Sequence, residues 1–307
     1  MIATMGRARY TDAGRDLLAT GRQSLDEALL PDFRSTVMLS SQRSESALTV
    51  AGVIPARMES QRLPGKVLRP ICGRPMLHRV YEAARTCRHL TELWVATDSE
   101  EIRDYCTQNQ IPVLMTSRSH RSGTDRIYEV MRMQAAENRQ PEIYVNVQGD
   151  EPMLQAIHLD LLIEPFLKEP STQVTTLKTP LAPNEAGNPN VVKVVTDARG
   201  RALYFSRAGI PFRRNPPPSF PGSPNLFSKY TYFKHLGLYA YRRDALERYA
   251  RLPVSPLEET ERLEQLRFLE NGIAIHVSET SFDTIGVDTE EDLQAVTRYF
   301  ESLPRSR

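Results

Sequence analysis

From residue 48 onward, short apolar runs rich in β-branched residues alternate with segments of helical spacing, and this alternation limits the fold more than any other feature. LTVAGVIPA (48–56), ELWVATD (92–98), IPVLMT (111–116), EIYVNVQGD (142–150) and QVTTLKTPL (173–181) read as buried strands. Between them PMLHRVYEAARTC (75–87), SEEIRDYCTQNQ (99–110) and GTDRIYEVMRMQAAE (123–137) carry apolar residues at helical spacing. Strands that need cover on both faces, alternating with helices that supply it, predict an α/β fold with a doubly wound, mainly parallel, Rossmann-like sheet. After residue 190 the pattern changes to NVVKVVTD, ALYFS and HLGLYAYRR, which predict a small antiparallel β lobe within about residues 190–245. RNPPPSFPGSP (214–224) is too rich in proline for a helix or central strand and is expected to be a surface loop or lid.

Residues 1–47 lack any apolar period long enough to bury a face, with six arginines, no lysine and six acidic residues. They are expected to form a flexible or partly helical N-terminal extension, with Met38 as an alternative start, and residues 48–307 to form the main domain. The formal net charge of +1 comes from interspersed acids and bases, which argues against a nucleic-acid partner. No stretch approaches the roughly 20 apolar residues of a membrane span, so membrane insertion is not expected. Cys72, Cys87 and Cys106 are odd in number and lack CxxC spacing, which predicts reduced thiols in a cytoplasmic protein.

In a sheet of this kind ligands bind beyond the carboxyl ends of the strands, which directs attention to four segments. IPARMESQRLPGKVL (54–68) packs Arg57, Arg62 and Lys66 around a Pro-Gly turn, either as a polyanion site or as a solvated basic loop. It is not a Walker loop, since GxxxxGK[ST] is absent, and no glycine-rich dinucleotide turn follows the first strand. In YVNVQGDEP (144–152), Asp150 and Glu151 end a buried strand, as metal-binding carboxylates or as turn and cap residues. HRSGTDR (120–126) offers Ser122 or Thr124 as a helix cap, compatible with binding a ribose or base. In TIGVDTEEDL (284–293) the acids after Asp288 suit a helix start, whereas Asp288 itself fits a second metal contact opposite Asp150.

Taken in order, IPAR-x-x-S-x-RLPGK-x-L, HxSGTDR, NVQGDEP, NPNVVKVV, YFSRA-x-IPF, KH-x-GLYAYRR, LEQLR and GVDTEEDL resemble the 3-deoxy-manno-octulosonate cytidylyltransferases, over about residues 50–295. The resemblance implies a nucleotide-diphospho-sugar transferase-like domain that transfers CMP from CTP to the anomeric hydroxyl of the sugar acid Kdo. The products would be CMP-Kdo, for lipopolysaccharide or capsule biosynthesis, and pyrophosphate. It also implies Mg²⁺ as cofactor and a homodimer built through the antiparallel lobe. Carried onto this sequence, it places Arg57 and Lys66 on the triphosphate, Asp150 and Asp288 on magnesium, and Ser122 and Arg126 near the cytidine. The sugar acid falls to Gln148, Arg207, His235, Tyr239, Glu264 and Gln265, with Arg207 suited to the carboxylate and His235 to hydrogen bonding rather than proton transfer. The chain departs from the usual pattern in its extension, in Gly209 where proline is common, and in its long proline-rich loop. Rival expectations are the same chemistry on 8-amino-Kdo or a sialic acid, or a non-catalytic nucleotide-binding scaffold.

Overall fold

The computed structural model describes residues 48–303, except Gln61, Arg121, Arg213 and residues 215–230. The extension expected over residues 1–47 and all of the proline-rich loop but Arg214 lie outside the described residues. In chain order the elements are β1 (Val50–Ala56), β2 (Pro70–Ile71), β3 (Arg74–Pro75), α1 (Met76–Ala84), β4 (Glu92–Thr97), α2 (Glu100–Gln108) and β5 (Val113–Met115). Then follow α3 (Gly123–Ala136), β6 (Ile143–Asn146), α4 (Ala156–Lys168), β7 (Val174–Pro180), β8 (Lys193–Thr196), β9 (Ala202–Ser206) and β10 (Phe233–Arg242). The chain closes with α5 (Arg243–Tyr249), α6 (Pro256–Glu261), α7 (Gln265–Glu270), β11 (Ile275–Glu279) and α8 (Glu290–Ser302).

The main sheet runs β11-β7-β10-β6-β1-β4-β5. β1 pairs in parallel with β4 and β6, as β4 does with β5 and β11 with β7. Side chains alternate across β1: Val50, Ile54 and Ala56 face one core, Ala51 and Val53 the other. Helices α1, α2 and α4 cover the first core through residues such as Leu77, Val80, Ile102 and Leu159. Helices α3, α5 and α7 cover the second through Ile127, Val130, Leu246 and Leu266. Helices thus cover both faces of the sheet, and its central strands β1 and β6 are buried along nearly their whole length.

The antiparallel strands expected after residue 190 are β8 and β9, which pair with each other, and β10. β10 also enters the main sheet, lying antiparallel between β6 and β7. Its pairing with β7 shifts between Leu236 and Tyr239, and Thr176 Oγ1, 2.8 Å from the carbonyl of Leu238, fills the irregularity. This insertion carries side chains from late in the sequence to the carboxyl ends of β1 and β6.

A smaller cluster of Leu63, Ile71, Met76, Val287, Leu293 and Val296 packs α8 onto the β2–β3 hairpin. It brings residues 287–288 beside the loop that follows β1. None of the described helices is long and apolar enough to cross a membrane.

Candidate active site

Two cavities open at the carboxyl ends of β1 and β6. The first, about 420 Å³, is walled by Asn146 and Gln148 from the β6 end, His235, Tyr239 and Tyr241 from β10, and Glu264 and Gln265 at the start of α7. The second, about 260 Å³, is walled by Lys66, Arg126, Gly149 and Asp150. Arg57, Ser122, Gly123 and Gln148 line both, so the cavities share one wall.

The second cavity owes its shape to glycine at two points. Gly65 has φ +65°, a left-handed conformation, and lets the loop after β1 turn back so that its N–H donates to the carbonyl of Met58 at 3.1 Å. At Gly149 an added Cβ would stand 2.8 Å from the carbonyl oxygen of Pro55, because the loops after β1 and β6 nearly touch. Gly149→Ala is expected to destabilise the fold by about 1–3 kcal/mol by forcing these loops apart. Because the loop also carries Asp150, turnover should fall even well below the melting temperature. Thermal melts and rates on the same preparation would check this, and an unchanged rate would mean the loop absorbs the methyl without moving Asp150.

Lys66 Nζ donates to Asp150 Oδ2 at 2.6 Å, Asp288 Oδ1 at 2.8 Å and the carbonyl of Val287 at 3.1 Å. The N–H of Val287 in turn donates to the carbonyl of Asp150 at 2.9 Å, which fixes the two aspartates opposite each other. Burial alone would lower the Lys66 pKa, but the charge of Asp150 and the hydrogen bonds to both carboxylates outweigh it and raise the value. Burial similarly pushes Asp288 upward, and Lys66 with Arg62 outweighs it, holding that carboxyl below its ordinary value. Arg62 donates to Asp288 Oδ2 at 2.7 Å. Of the three cations in the loop after β1, Arg57 is the one without a hydrogen bond or ion pair among the described residues.

Two carboxylates that already converge on one cation offer the hard oxygen ligands that magnesium takes. No group of three or more His, Cys, Asp or Glu side chains suited to a metal occurs among the described residues. An ion between Asp150 and Asp288 would therefore draw its other ligands from phosphate and water, and the donor set fits magnesium.

Ser122 caps α3, accepting from the N–H of Asp125 at 3.1 Å, and still faces both cavities. Arg126 is buried and donates to Asp98 Oδ2 at 2.8 Å and Thr116 Oγ1 at 2.5 Å. It thus ties the segments after β4 and β5 to α3 as it lines the second cavity. Gln148 Nε2 donates to the carbonyl of Gly237 at 3.0 Å, at the irregularity of β10. His235, Tyr239 and Tyr241 share one side of β10, broadly following the two-residue period of a strand. Tyr239 OH lies 2.9 Å from His235 Nε2, and the Tyr239 and Tyr241 rings stack 5.8 Å apart. Thr124 Oγ1 donates to Glu264 Oε2 at 3.3 Å.

Two buried atoms in this wall, Asn146 Oδ1 and Gln265 Nε2, have no hydrogen-bond partner among the described residues. An acceptor and a donor left unpaired in this way are costly unless a polar ligand meets them. Arg207 stands outside both walls. Its Nε donates to the carbonyl of Glu261 at 2.8 Å and its NH1 to that of Pro189 at 3.1 Å, while its own N–H donates to Glu261 Oε2 at 2.9 Å. Its guanidinium thus bonds backbone at the end of α6 and in the segment before β8.

Burial, helped by Lys234, pushes the His235 imidazole down to about 3. It is neutral at ordinary pH and serves as a hydrogen-bonding group. A depressed imidazole contributes stability that is intact above the unfolded value near 6.5 and is lost as pH falls from there toward 3. One proton of this kind steepens the acid limb by up to about 1.4 kcal/mol per pH unit. His235→Gln is expected to flatten that limb between pH 6 and pH 4 in calorimetric melts. A limb as steep as that of the parent would show that other groups set it.

Thr124, offered by the sequence as a helix cap beside a binding turn, lines the first cavity, as do Asn146, Tyr241 and Arg262, which the motifs did not mark as ligand contacts. Asn146 and Tyr241 were within reach of a period-two reading, each standing two residues from a named position. Arg262 gave no such signal, since it reaches the wall from a left-handed turn (φ +56°) that ends α6.

The family model described as cytidylyltransferase matches residues 51–277. A 3-deoxy-manno-octulosonate cytidylyltransferase from Acidobacterium capsulatum is 55% identical over 82% of this chain and 96% of its own length. One from Koribacter versatilis is 51% identical over 83% of this chain and 90% of its own. Among solved structures, CMP:2-keto-3-deoxy-manno-octonic acid synthetase complexed with CTP superposes with a TM-score of 0.75 at 40% identity. That match covers 82% of this chain and 98% of the other.

Proposed function

The chain belongs to the 3-deoxy-manno-octulosonate cytidylyltransferase family, and from that premise we propose that it transfers CMP from CTP to the anomeric hydroxyl of Kdo, giving CMP-Kdo and pyrophosphate. The observation that carries this reading is a pair of adjoining cavities with complementary chemistry. One is lined by Arg57, Lys66, Arg126 and the Asp150 carboxylate, the other by amide atoms without a partner among the described residues, tyrosines and a neutral histidine. A triphosphate suits the first set and a polyhydroxylated acid the second.

In this reading the α-phosphate sits at the shared wall, facing the sugar hydroxyl. The hydroxyl oxygen bonds to the α-phosphorus as the bond from phosphorus to pyrophosphate breaks, and the hydroxyl proton is released. Arg57 spans the two cavities and stabilises charge on the transferring group. Ser122, with Gly123, forms the wall against the nucleotide, and Arg126 keeps that wall in place from below. Gln148, His235, Tyr239, Glu264 and Gln265 hold the sugar hydroxyls. Arg207 acts from behind by gripping the carbonyl of Glu261, and Arg57 and Arg262 are the cations on the sugar-facing wall. Magnesium would be held by Asp150 and Asp288, and bound there it neutralises triphosphate oxygens and favours departure of pyrophosphate.

Homodimerisation belongs to the same proposal. Among the described strands β9 pairs with β8 alone, and Leu203 and Phe212 are 62% and 87% exposed. A cytoplasmic location is supported by three free thiols, and lipopolysaccharide or capsule synthesis is the proposed destination of the product.

The test is pyrophosphate release with CTP and magnesium, run separately with Kdo, 8-amino-Kdo and N-acetylneuraminate. Release with Kdo is the expected result. Release with another acid alone would keep the chemistry and reassign the sugar, and no release with any of them would remove the catalytic reading.

A further inference from the structure

We infer that Lys66 is the resident counter-cation of the two aspartates and changes places with a divalent ion, so that metal loading frees its ammonium for the nucleotide phosphates. The inference rests on the metal reading of Asp150 and Asp288 above and goes beyond it in assigning Lys66 two positions.

An ammonium has three donors, and here all three have acceptors: Asp150 Oδ2, Asp288 Oδ1 and the carbonyl of Val287. No donor is left over for a phosphate. The other oxygen of Asp288 faces Arg62 at 2.7 Å, so both oxygens of that carboxylate already meet cations. A divalent ion reaching these oxygens would stand within a few ångströms of the ammonium, where two positive charges repel strongly. One of them must leave.

Lys66 is the group built to move. Its backbone is held by bonds from its N–H to the carbonyl of Leu63 and from the N–H of Arg69 to its own carbonyl, whereas its side chain turns about four bonds. The cavity it lines is the one into which the ammonium would swing. The aspartates are accessible to an ion from solvent, at 31% and 46% side-chain exposure, while Lys66 is 14% exposed.

Ion and nucleotide then bind with positive coupling, since each favours the position of Lys66 that the other needs. Without an ion, the lysine keeps two opposed carboxylates from repelling each other.

The experiment uses the full chain without nucleotide and Mn²⁺ as the probe, with free ion read by electron paramagnetic resonance. Lys66→Met is expected to bind Mn²⁺ about tenfold more tightly than the parent, because its competitor has been removed. Asp150→Asn should abolish that binding. In the parent protein, acetylation of Lys66 by acetic anhydride, followed by peptide mass spectrometry, should rise several-fold on adding Mg²⁺ and fall again when CTP follows. The labelling arm needs no variant, so it stands even if Lys66→Met fails to fold. Unchanged or weaker Mn²⁺ binding in Lys66→Met, or labelling indifferent to Mg²⁺, would make Lys66 a fixed pin and overturn the inference alone. Failure of parent and variant alike to bind Mn²⁺ in an Asp150-dependent way would overturn the metal reading together with it.

Discussion

Asp150→Asn is expected to lower turnover by at least about 10³-fold while leaving the fold intact. The carboxylate stands at the end of β6 on the wall of the second cavity, and one of its oxygens faces the cation position between the aspartates. Asparagine keeps the size and one carbonyl oxygen but removes the charge that holds a metal ion beside a triphosphate. Its effect on stability should be small. Asp150 is 31% exposed, its partner Lys66 keeps the bonds to Asp288 and Val287, and ion pairs this open contribute about 1 kcal/mol or less. Pyrophosphate release and a thermal melt on one preparation would separate the two quantities. Near-normal turnover would refute the assignment of Asp150, and a collapsed melt would show that its role is structural.

The contrast between activity and stability reflects how the site is assembled. Asp150 and Asp288 are far apart in sequence and are brought together by a backbone bond from Val287 and by the small apolar cluster under α8. The cluster includes Leu63 and Met76 on one side and Val287 and Leu293 on the other, all of them buried. Burying such a side chain stabilises by about 1.5–3 kcal/mol, far more than the exposed charge pairs above it. Packing positions the charges, and the charges remain available for ligand.

The parts of the fold legible in the sequence were those fixed by local pattern. β1, β4, β5, β6 and β7 lie in short runs rich in apolar and β-branched residues, so the runs declared themselves. The place of β10 was not declared, because HLGLYAYRR shows a strand without showing its neighbours. Its insertion between β6 and β7 is a long-range choice. The same limit applied within the site. Lys66, Asp150 and Asp288 were visible as charges after strands, yet their mutual bonds depend on where α8 docks. Arg207 was legible as a cation suited to a carboxylate, whereas its side-chain bonds to the carbonyls of Glu261 and Pro189 depend on how distant segments pack. Tyr239 and His235 were legible as polar groups in a strand, and what the sequence left open was that burial keeps the histidine neutral.

Arg57→Ala is the second large effect expected, a fall in kcat/KM of about 10²–10³-fold toward both CTP and the sugar acid. Arg57 is exposed and lines both cavities, whereas Arg62 and Lys66 from the same loop are bonded to aspartates. Removing an exposed side chain with no ion pair among the described residues should leave the melting temperature within about a degree of the parent. The loss should fall mainly on kcat, because a cation at the junction meets the group in transfer and gains most when charge moves toward pyrophosphate. Arg57→Lys should recover part of the rate, since it keeps the charge without the planar fork. Steady-state kinetics with each substrate varied in turn would decide the matter. A rise in KM for CTP alone, with kcat unchanged, would make Arg57 a nucleotide-binding residue only and move the point of transfer away from the shared wall.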